Sequence, residues 1–250
     1  MMNNSVTMPI IGYMQSPYRE KFGIPRQPNL VNVESYIEMV EPYNDMLAFE
    51  GIEAFSHVWL VWQFHDNKNN KNAQQQATKF RAQVRPPRLG GNTKVGVFAT
   101  RSMYRPAPIG LSVVRLLRVE NIGKSVRLHV TGSDLLNGTP ILDIKPYIQY
   151  SDAVVDSVSG YAQQQPTRKN VVWTETAQSQ QQQFCKHGIF NKKIFDELEQ
   201  VLSLDPRPAY QDDASRVYGM SFAQLNIRFT VDETQLTVLA VEANEELKNI

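Results

Sequence analysis

Arginine, tyrosine, proline and glycine are concentrated in one part of the sequence, in a combination that suits the binding of an anion. Residues 84–91 and 97–110 contain four arginines and one tyrosine among prolines and glycines. A guanidinium group binds carboxylate or phosphate through paired hydrogen bonds, and a neighbouring aromatic ring can stack on a nucleobase. These segments therefore predict an anion-binding site, with simply solvated arginines as the alternative.

Two proline-rich turns each hold an arginine beside another polar or aromatic side chain. Residues 25–28 contain Arg26 and Gln27 between two prolines, and prolines on both sides of Arg207 precede Tyr210. Because proline restricts φ, such turns present their donors at low entropic cost. Each turn is predicted to contact a ligand, and the alternative is an ordinary connecting or packing turn.

One segment combines carboxylates with a strong turn signal. Asn137-Gly138 marks the turn, so Asp134 lies before it, while Asp143 and Lys145 lie on a strand after it. Residues two apart on a strand share a face, which allows Asp143 and Lys145 to form an ion pair next to Tyr147. These groups are candidates for acid–base chemistry, and the alternative is a structural hairpin with a surface salt bridge.

The composition of the chain excludes several classes of protein. The longest apolar run, residues 58–62, is far shorter than the ~20 residues of a transmembrane helix. The single cysteine, Cys185, cannot form an internal disulfide, and His57 and His65 lack a third partner, so no metal site is predicted. There is no glycine-rich nucleotide-binding loop and no visible secretory signal, so we expect a cytoplasmic protein without a membrane partner.

Charge is distributed unevenly along the chain. The formal net charge is +1, but residues 1–150 carry 17 Lys and Arg against 11 Asp and Glu. No acidic residue occurs in residues 67–119, which contain eleven basic ones; we call this the acid-free stretch. A basic region of this kind attracts polyphosphate, so nucleic acid is the leading predicted partner. The alternative is a solvated face whose charge is balanced by acids from elsewhere in the chain.

Alternation of apolar and polar residues predicts a mainly β protein, with an N-terminal β-barrel and a small C-terminal α+β domain. Only residues 192–204 show convincing helical spacing. Residues 163–166 are polar and predict the domain boundary, residues 67–78 predict a surface loop, and residues 178–183 predict a loop or the start of a helix. The predicted strands are residues 10–14, 36–40, 58–64, 95–100, 111–119, 126–130, 171–174, 223–231 and 236–242.

Taken together, these segments resemble the TrmO-type (TsaA or YaeB-like) tRNA methyltransferases. The matching blocks cover most of the chain in order: residues 16–18, 25–28, 55–59, 85–91, 96–110, 134–140, 143–147 and 205–210. The resemblance implies a barrel in residues 1–160 that binds S-adenosylmethionine and a small domain in residues 167–243 that assists tRNA binding. It also implies a homodimer, and methylation of N6 of the threonylcarbamoyladenosine immediately 3′ of the anticodon.

Roles for individual residues are expected from the chemistry of this reaction and from the charge pattern, while the resemblance implies the contacts with the cofactor. Asp134, Asp143 and Tyr147 are the candidates for a general base, while Lys145 or Arg105 would neutralise a carboxylate or phosphate of the substrate. The expected contacts with tRNA are Arg85, Arg88, Lys94, Arg207 and Tyr210. The expected contacts with the cofactor are Pro25, Arg26, Gln27, His65, Asp66, Arg101, Leu111, Thr131, Gly132, Ser133 and Asp134.

Two other functions use the same residues. A non-catalytic RNA-binding barrel would need the arginines and tyrosines but would not bind S-adenosylmethionine. An enzyme of another class would use the fixed arginines to hold a small anionic metabolite. The salt dependence of binding separates that enzyme from a tRNA-binding protein, because many phosphate contacts give a steep slope.

Overall fold

The computed structural model describes residues 6–66, 80–208, 211 and 213–244. The predicted surface loop at residues 67–78 lies outside the described residues, as does Tyr210. No helix within the described residues is long and apolar enough to cross a membrane.

Six strands form a closed antiparallel barrel in the order β1-β2-β7-β6-β3-β8, which confirms the predicted fold class. Two short strands, β4 and β5, which lie between β3 and β6 in the sequence, form a separate two-stranded sheet. The bounds are β1 Gly12–Gln15, β2 Glu34–Met39, β3 His57–Gln63, β4 Gln83–Val84, β5 Val95–Gly96, β6 Ile109–Ile122, β7 Ser125–Thr131 and β8 Pro140–Pro146.

The barrel closes because alternate residues of its strands are apolar and point to one interior. Val58, Leu60 and Trp62 of β3 are buried, whereas the residues between them are only partly buried. Ile37, Val114 and Leu128 contribute the same pattern from neighbouring strands. Apolar surface removed from water is the main favourable term in folding, so this alternation fixes which face of each strand turns inward.

One sequence expectation for this region is wrong, and the hairpin named as an alternative is absent. Residues 95–100 form a strand only at β5, because the next three residues form the 3₁₀ helix Val97–Ala99. Residues 137 and 138 do form a turn, but β7 and β8 are not neighbours in the barrel, so no hairpin joins them. The turn is instead bonded to β1, because Gly138 N donates a hydrogen bond of 2.7 Å to Met14 O.

The C-terminal part is a four-stranded sheet with two helices, as expected for an α+β unit. It contains β9 Asn170–Trp173, α2 Glu175–Lys186, α3 Lys192–Ser203, β10 Tyr218–Phe222, β11 Leu225–Val231 and β12 Gln235–Ala243; a short helix, α1 Gln149–Asp152, follows the barrel. Strand order is β10-β11-β12-β9, with β9 parallel to β12. The sequence pattern missed β10, and residues 178–183 lie in the middle of α2.

The second hydrophobic core is completed by residues from the N-terminal part of the chain. Tyr18, Val31 and Val33 are buried in the same cluster as Phe195 and Leu202 of α3. Tyr18 also forms a β-bridge with Phe222 of β10 and lies 6.0 Å from its ring centroid. The loop between β1 and β2 therefore joins the two parts of the molecule into one packed unit.

Candidate functional site

A cavity of about 820 Å³ opens at the side of the barrel, between the β1–β2 loop and the loop that precedes β6. This volume falls within the ~300–1,000 Å³ usual for ligand pockets. The cavity includes nine of the residues predicted from the sequence: Pro25, Arg26, Gln27, His65, Asp66, Arg101, Arg105, Leu111 and Asp134. Its wall also contains Trp59, Trp62, Phe64, Phe98, Met103, Ile109 and Gly110.

Asp134 is the central acidic group of the cavity. Its Oδ1 accepts a hydrogen bond of 2.6 Å from the Ser112 hydroxyl, which itself accepts one of 3.0 Å from the Trp62 indole N–H. Burial raises the pKa of Asp134 to about 6, although the hydrogen bond from Ser112 and the charge of Arg101 lower it in part. The carboxylate is thus fixed in orientation and titrates close to neutral pH.

The turn before Asp134 holds it in place from behind. Gly132 has a φ of +84°, a left-handed conformation that favours glycine, and a Cβ there would lie 2.5 Å from the Asn29 side chain. Asn29 connects this turn to β6, because its backbone N–H donates to Gly132 O and its side-chain amide donates to Val113 O, each at 2.9 Å. The glycine thus lets the β1–β2 loop and the turn approach closely.

Thr131, Gly132 and Ser133 do not belong to the cavity wall. Thr131 donates its hydroxyl hydrogen bond to Val33 O at 3.2 Å, and the buried Ser133 hydroxyl accepts from Leu135 N at 3.2 Å. The Thr131 and Ser133 side chains therefore bond to the protein itself. Their direct contact with a cofactor stays a prediction, whereas their observed hydrogen bonds shape the turn that presents Asp134.

The apolar wall of the cavity depends on one close approach. Gly110 lies against the indole of Trp62, and a Cβ at this position would lie 2.2 Å from the ring. Trp62 in turn contacts Phe64 edge to face, with ring centroids 4.4 Å apart. Glycine at position 110 thus allows the indole to lie across β6 and to place an aromatic surface next to Asp134.

Basic groups lie on another side of the cavity. Arg101 donates a hydrogen bond to the Gln27 side chain, and Arg26 donates one to the backbone carbonyl of Arg207 at 3.3 Å. Neither Arg26 nor Arg101 forms an ion pair with a carboxylate within the described part of the chain. Both guanidinium groups therefore keep a charge available for an anionic group.

His65 and Asp66 lie at the edge of the cavity, beyond the end of β3. Asp66 lies 3.4 Å from the Lys21 ammonium in an exposed ion pair, a kind of pair that contributes little stability. Desolvation, together with the charge of Lys21, lowers the pKa of His65 despite the opposing charge of Asp66. His65 is thus neutral and able to accept a hydrogen bond at neutral pH.

The ion pair predicted between Asp143 and Lys145 is present, with 2.8 Å between Lys145 Nζ and Asp143 Oδ2. It lies on the outer face of β8 opposite Val61 and Trp59 of β3 and does not belong to the cavity wall. Tyr147 contacts the ring of Trp59, with centroids 6.1 Å apart. The structure thus brings these three residues together beside the cavity, and their catalytic roles stay predictions.

Three basic residues of the acid-free stretch that were predicted to contact tRNA face solvent. Arg85, Arg88 and Lys94 are exposed on and next to the β4–β5 sheet and form no ion pair within the described residues. Arg105 lines the cavity, and its guanidinium donates hydrogen bonds to Thr100 O at 2.6 Å and Val97 O at 3.3 Å. Arg118, at the end of the stretch, does pair with an acid from elsewhere, Glu34 at 3.0 Å, so among the described residues acids balance this region only in part.

The contact with tRNA predicted for Arg207 does not fit the geometry. Arg207 is only 8% exposed, and its guanidinium forms two hydrogen bonds of 2.9 Å with Asp205 and one of 3.3 Å with Val231 O. It also lies over the ring of Tyr218, 5.9 Å from the centroid. All these partners belong to the protein. The alternative given for this turn, an ordinary packing turn, therefore describes it better than a contact with tRNA does. Tyr210 lies outside the described residues.

The aromatic wall of the cavity and the serine that orients Asp134 are absent from the site predicted from sequence. Trp62 and Phe64 belong to a run of apolar residues, a pattern that does not distinguish core from cavity wall. Ser112 had a detectable signal, because it occupies an inward-facing position of β6 between the buried Gly110 and Val114. No group of three or more His, Cys, Asp or Glu residues in the described ranges is arranged to hold a metal ion.

Comparison with known proteins matches both parts of the chain to one family. Residues 13–153 match the tRNA-methyltransferase O N-terminal domain, and residues 166–244 match the TrmO C-terminal domain. The tRNA (adenine(37)-N6)-methyltransferase of Escherichia coli (strain K12) is 39% identical over 236 residues, which cover 93% of this chain and 96% of that protein.

Two further relatives come from Pseudomonas aeruginosa. A putative S-adenosylmethionine-dependent methyltransferase, RcsF, is 44% identical over 222 residues, covering 88% of this chain and 90% of that protein. A crystal structure of TrmO superposes with a TM-score of 0.75 at 34% identity and covers 96% of this chain and 98% of that one. With both domain matches and this shared fold, the chain belongs to the TrmO family of tRNA methyltransferases.

Proposed function

We propose that this protein is an S-adenosylmethionine-dependent methyltransferase that methylates N6 of threonylcarbamoyladenosine next to the anticodon of tRNA. The observation that carries the proposal is the cavity, in which Asp134 and two unpaired arginines share an aromatic pocket. This pocket opens beside the exposed cations of the acid-free stretch. The family assignment supports the same reaction, since its named relatives include tRNA (adenine(37)-N6)-methyltransferases.

The residues of the cavity fit the chemistry of the proposed cofactor. S-adenosylmethionine has an ammonium and a sulfonium cation, a carboxylate, a ribose and a flat adenine ring, and when bound it supplies an activated methyl group. Asp134 suits a cation or the ribose hydroxyls, Arg26 or Arg101 suits the carboxylate, and Trp62 suits a flat or cationic group. Backbone groups around Leu111 are proposed to meet the adenine edge.

The main contribution of the protein to methyl transfer is alignment, since the donor carbon must lie in line with the attacking nitrogen. The fixed Asp134 turn and the stiff Pro25 turn, both of which contribute to the cavity wall, provide this alignment. Asp134 is also the best placed general base, because its Oδ1 is bound to Ser112 and its Oδ2 remains able to hold a proton. At neutral pH its carboxyl is mostly ionised and ready to accept that proton.

Charge neutralisation of the substrate is assigned to Arg105. Its guanidinium lies in the cavity wall and is held by two backbone carbonyls, so its charge is fixed without being neutralised. This suits the threonyl carboxylate or a phosphate of the target nucleotide. Asp143, Tyr147 and Lys145 are retained as a second candidate set, because Trp59 connects Tyr147 to the cavity.

The proposed function has three consequences for the whole molecule: the roles of its two parts, a homodimer and a location. Residues 1–160 would hold the cofactor, while residues 167–243 would assist tRNA binding, with Arg85, Arg88 and Lys94 as the main phosphate contacts. The homodimer is supported by exposed apolar side chains just after the barrel, where Val155 and Val158 are 92% and 90% exposed. A cytoplasmic location follows from the proposed tRNA substrate.

The decisive experiment is mass analysis of tRNA nucleosides from cells with and without this protein. The proposed function requires that threonylcarbamoyladenosine loses a single methyl group when the protein is absent. Unchanged nucleosides, together with no detectable binding of S-adenosylmethionine in calorimetry, would favour the non-catalytic RNA-binding barrel. Binding of a small anion with a shallow salt slope would favour the enzyme of another class.

A further inference from the structure

Two phenylalanine rings lie exposed within the acid-free stretch. Phe80 and Phe98 are 58% and 68% exposed, although phenylalanine is among the residues that proteins most often bury. Their rings stack at 6.0 Å between centroids and 29° between planes. Arg81 lies 4.9 Å from the ring centroid of Tyr104, which is also exposed. We call Phe80, Phe98 and Tyr104, with Arg81 and Arg105, the aromatic platform.

The backbone under the platform is held firmly. Val97 is buried and donates a hydrogen bond of 2.9 Å to Ala82 O, which anchors the 3₁₀ helix that carries Phe98. The Tyr161 hydroxyl donates a hydrogen bond of 3.2 Å to Ala99 O in the same turn. Arg105 lies 5.5 Å from the Phe98 centroid. Phe98 is therefore presented to solvent by a preorganised turn, which lowers the entropic cost of binding.

The platform adjoins the cavity. Phe98, Met103 and Arg105 belong to the wall of the same cavity that contains Asp134. Phe98 thus faces both the cavity and, through its stack with Phe80, the outer surface. A molecule bound on the platform would continue directly into the site where the methyl group is transferred.

The charges around the platform define the chemistry of its occupant. The arginine ion pairs of the described residues involve Arg118, Arg127, Arg207 and Arg228, none of which belongs to the platform. The platform therefore combines flat apolar rings with cations that have no acidic partner in the described part of the chain. Unpaired RNA nucleotides match both features, because bases stack on aromatic rings while phosphates pair with guanidinium groups. A symmetric contact with a second copy would instead oppose like charges.

We propose that the aromatic platform stacks the unpaired bases that flank the target adenosine and so delivers this adenosine into the cavity. The inference rests on the proposed function and adds a binding site for the neighbouring nucleotides. Stacking on aromatic rings is tolerant of sequence, so the platform would grip the anticodon loop without selecting a particular flanking base.

The test compares Phe80→Ala and Phe98→Ala with the ring-retaining variants Phe80→Tyr and Phe98→Tyr. The probe is tRNA purified from cells that lack this protein, together with a synthetic stem-loop that carries 2-aminopurine beside the target position. Each alanine variant should lower RNA affinity by about 5- to 150-fold, the worth of one stacked base. Each tyrosine variant should keep the parental affinity, and the parental protein should quench the 2-aminopurine fluorescence.

Three controls make the result specific. Leu47→Ala removes a comparably exposed apolar side chain outside the acid-free stretch and should leave RNA affinity unchanged. Phe80→Ala should retain the parental cofactor affinity and melting temperature, because Phe80 is not part of the cavity wall. The salt slope should also stay parental, because the substitution removes no charge.

Parental RNA affinity in both alanine variants would overturn the inference. So would a change from dimer to monomer in sedimentation with RNA affinity intact, because the platform would then contact a second copy. A parental protein that binds the tRNA without methylating it would refute the proposed function instead, and the affinity comparison would still decide the role of the platform.

Discussion

Replacement of Asp134 by asparagine should stabilise the protein while it weakens the proposed cofactor site. In the folded chain burial raises the pKa of this carboxyl from its ordinary value of 3.8 to about 6. The folded state therefore binds a proton more tightly than the unfolded state does, and this stabilisation is present at low pH and is lost as the pH rises through 6. At 1.36 kcal/mol for each pH unit, the ionised carboxylate costs about 3 kcal/mol at neutral pH.

The size of the expected stabilisation follows from the hydrogen bond that asparagine keeps and the negative charge that it removes. Its side-chain oxygen can still accept the hydrogen bond from Ser112, so the turn and the orientation of Trp62 should be retained. The buried negative charge is removed, so Asp134→Asn should gain up to about 3 kcal/mol over the parent at pH 8. Between pH 4 and 6 this advantage should shrink by about 1.4 kcal/mol for each pH unit of acidification.

Urea unfolding of the parent and of Asp134→Asn at several pH values between 4 and 8 measures this difference directly. Calorimetry with S-adenosylmethionine on the same samples should show weaker binding by the variant, and weaker binding by the parent below pH 6 as its carboxylate becomes protonated. A difference in unfolding free energy that stays constant from pH 4 to 8 would refute the burial of an ionised Asp134. Parental cofactor affinity in the variant would remove Asp134 from the cofactor site.

Three further predictions concern arginine and lysine side chains. Arg26→Ala and Arg101→Ala should each weaken S-adenosylmethionine binding by about 10-fold or more in calorimetry with the melting temperature retained, since charge-assisted hydrogen bonds contribute about 1.5–3 kcal/mol. Arg207→Ala should lower the free energy of unfolding by about 2–4 kcal/mol, because Asp205 would lose its partly buried partner, and the salt slope of tRNA binding should stay parental. Replacement of Arg85, Arg88 and Lys94 together by alanine should reduce the slope of log Kobs against log salt concentration by about 2 in filter binding, since each single-stranded phosphate contact contributes about 0.7. An unchanged slope would identify a solvated face.

Barrel strands such as β2 and β3 were predictable because each has one apolar face, so the alternation in sequence is the same as the alternation in burial. Helix α2 was not predictable in this way, because it is rich in glutamine and buries little more than Ala177 on its inner side. Its stability comes from its N-cap Thr174 and from tertiary contacts such as the 2.8 Å hydrogen bond from Val241 N to the Gln180 side chain. Such contacts leave no periodic signal in the sequence.

The polar part of the site was more accessible to sequence analysis than its apolar part. Arg26, Arg101 and Asp134 occur in loops where proline, glycine and charge are unusual for plain connections, and the structure brings them to one cavity. Trp62 and Phe64 were read only as strand residues, because a cavity wall and a core have the same composition. Arg207 was misassigned for the opposite reason, since an arginine in a rigid turn has the same sequence pattern whether it faces solvent or Asp205.

The packing of the β1–β2 loop into the second core limits how this protein can be recombined with its relatives. Tyr18, Val31 and Val33 are distant in sequence from the sheet that they complete, while Pro25 and Arg26 between them form part of the cavity. A chimera that exchanges only residues 166–244 would join a foreign core to a resident loop and would disturb the cavity through it. Crossover points for functional chimeras must therefore transfer the loop at residues 18–33 together with the C-terminal part.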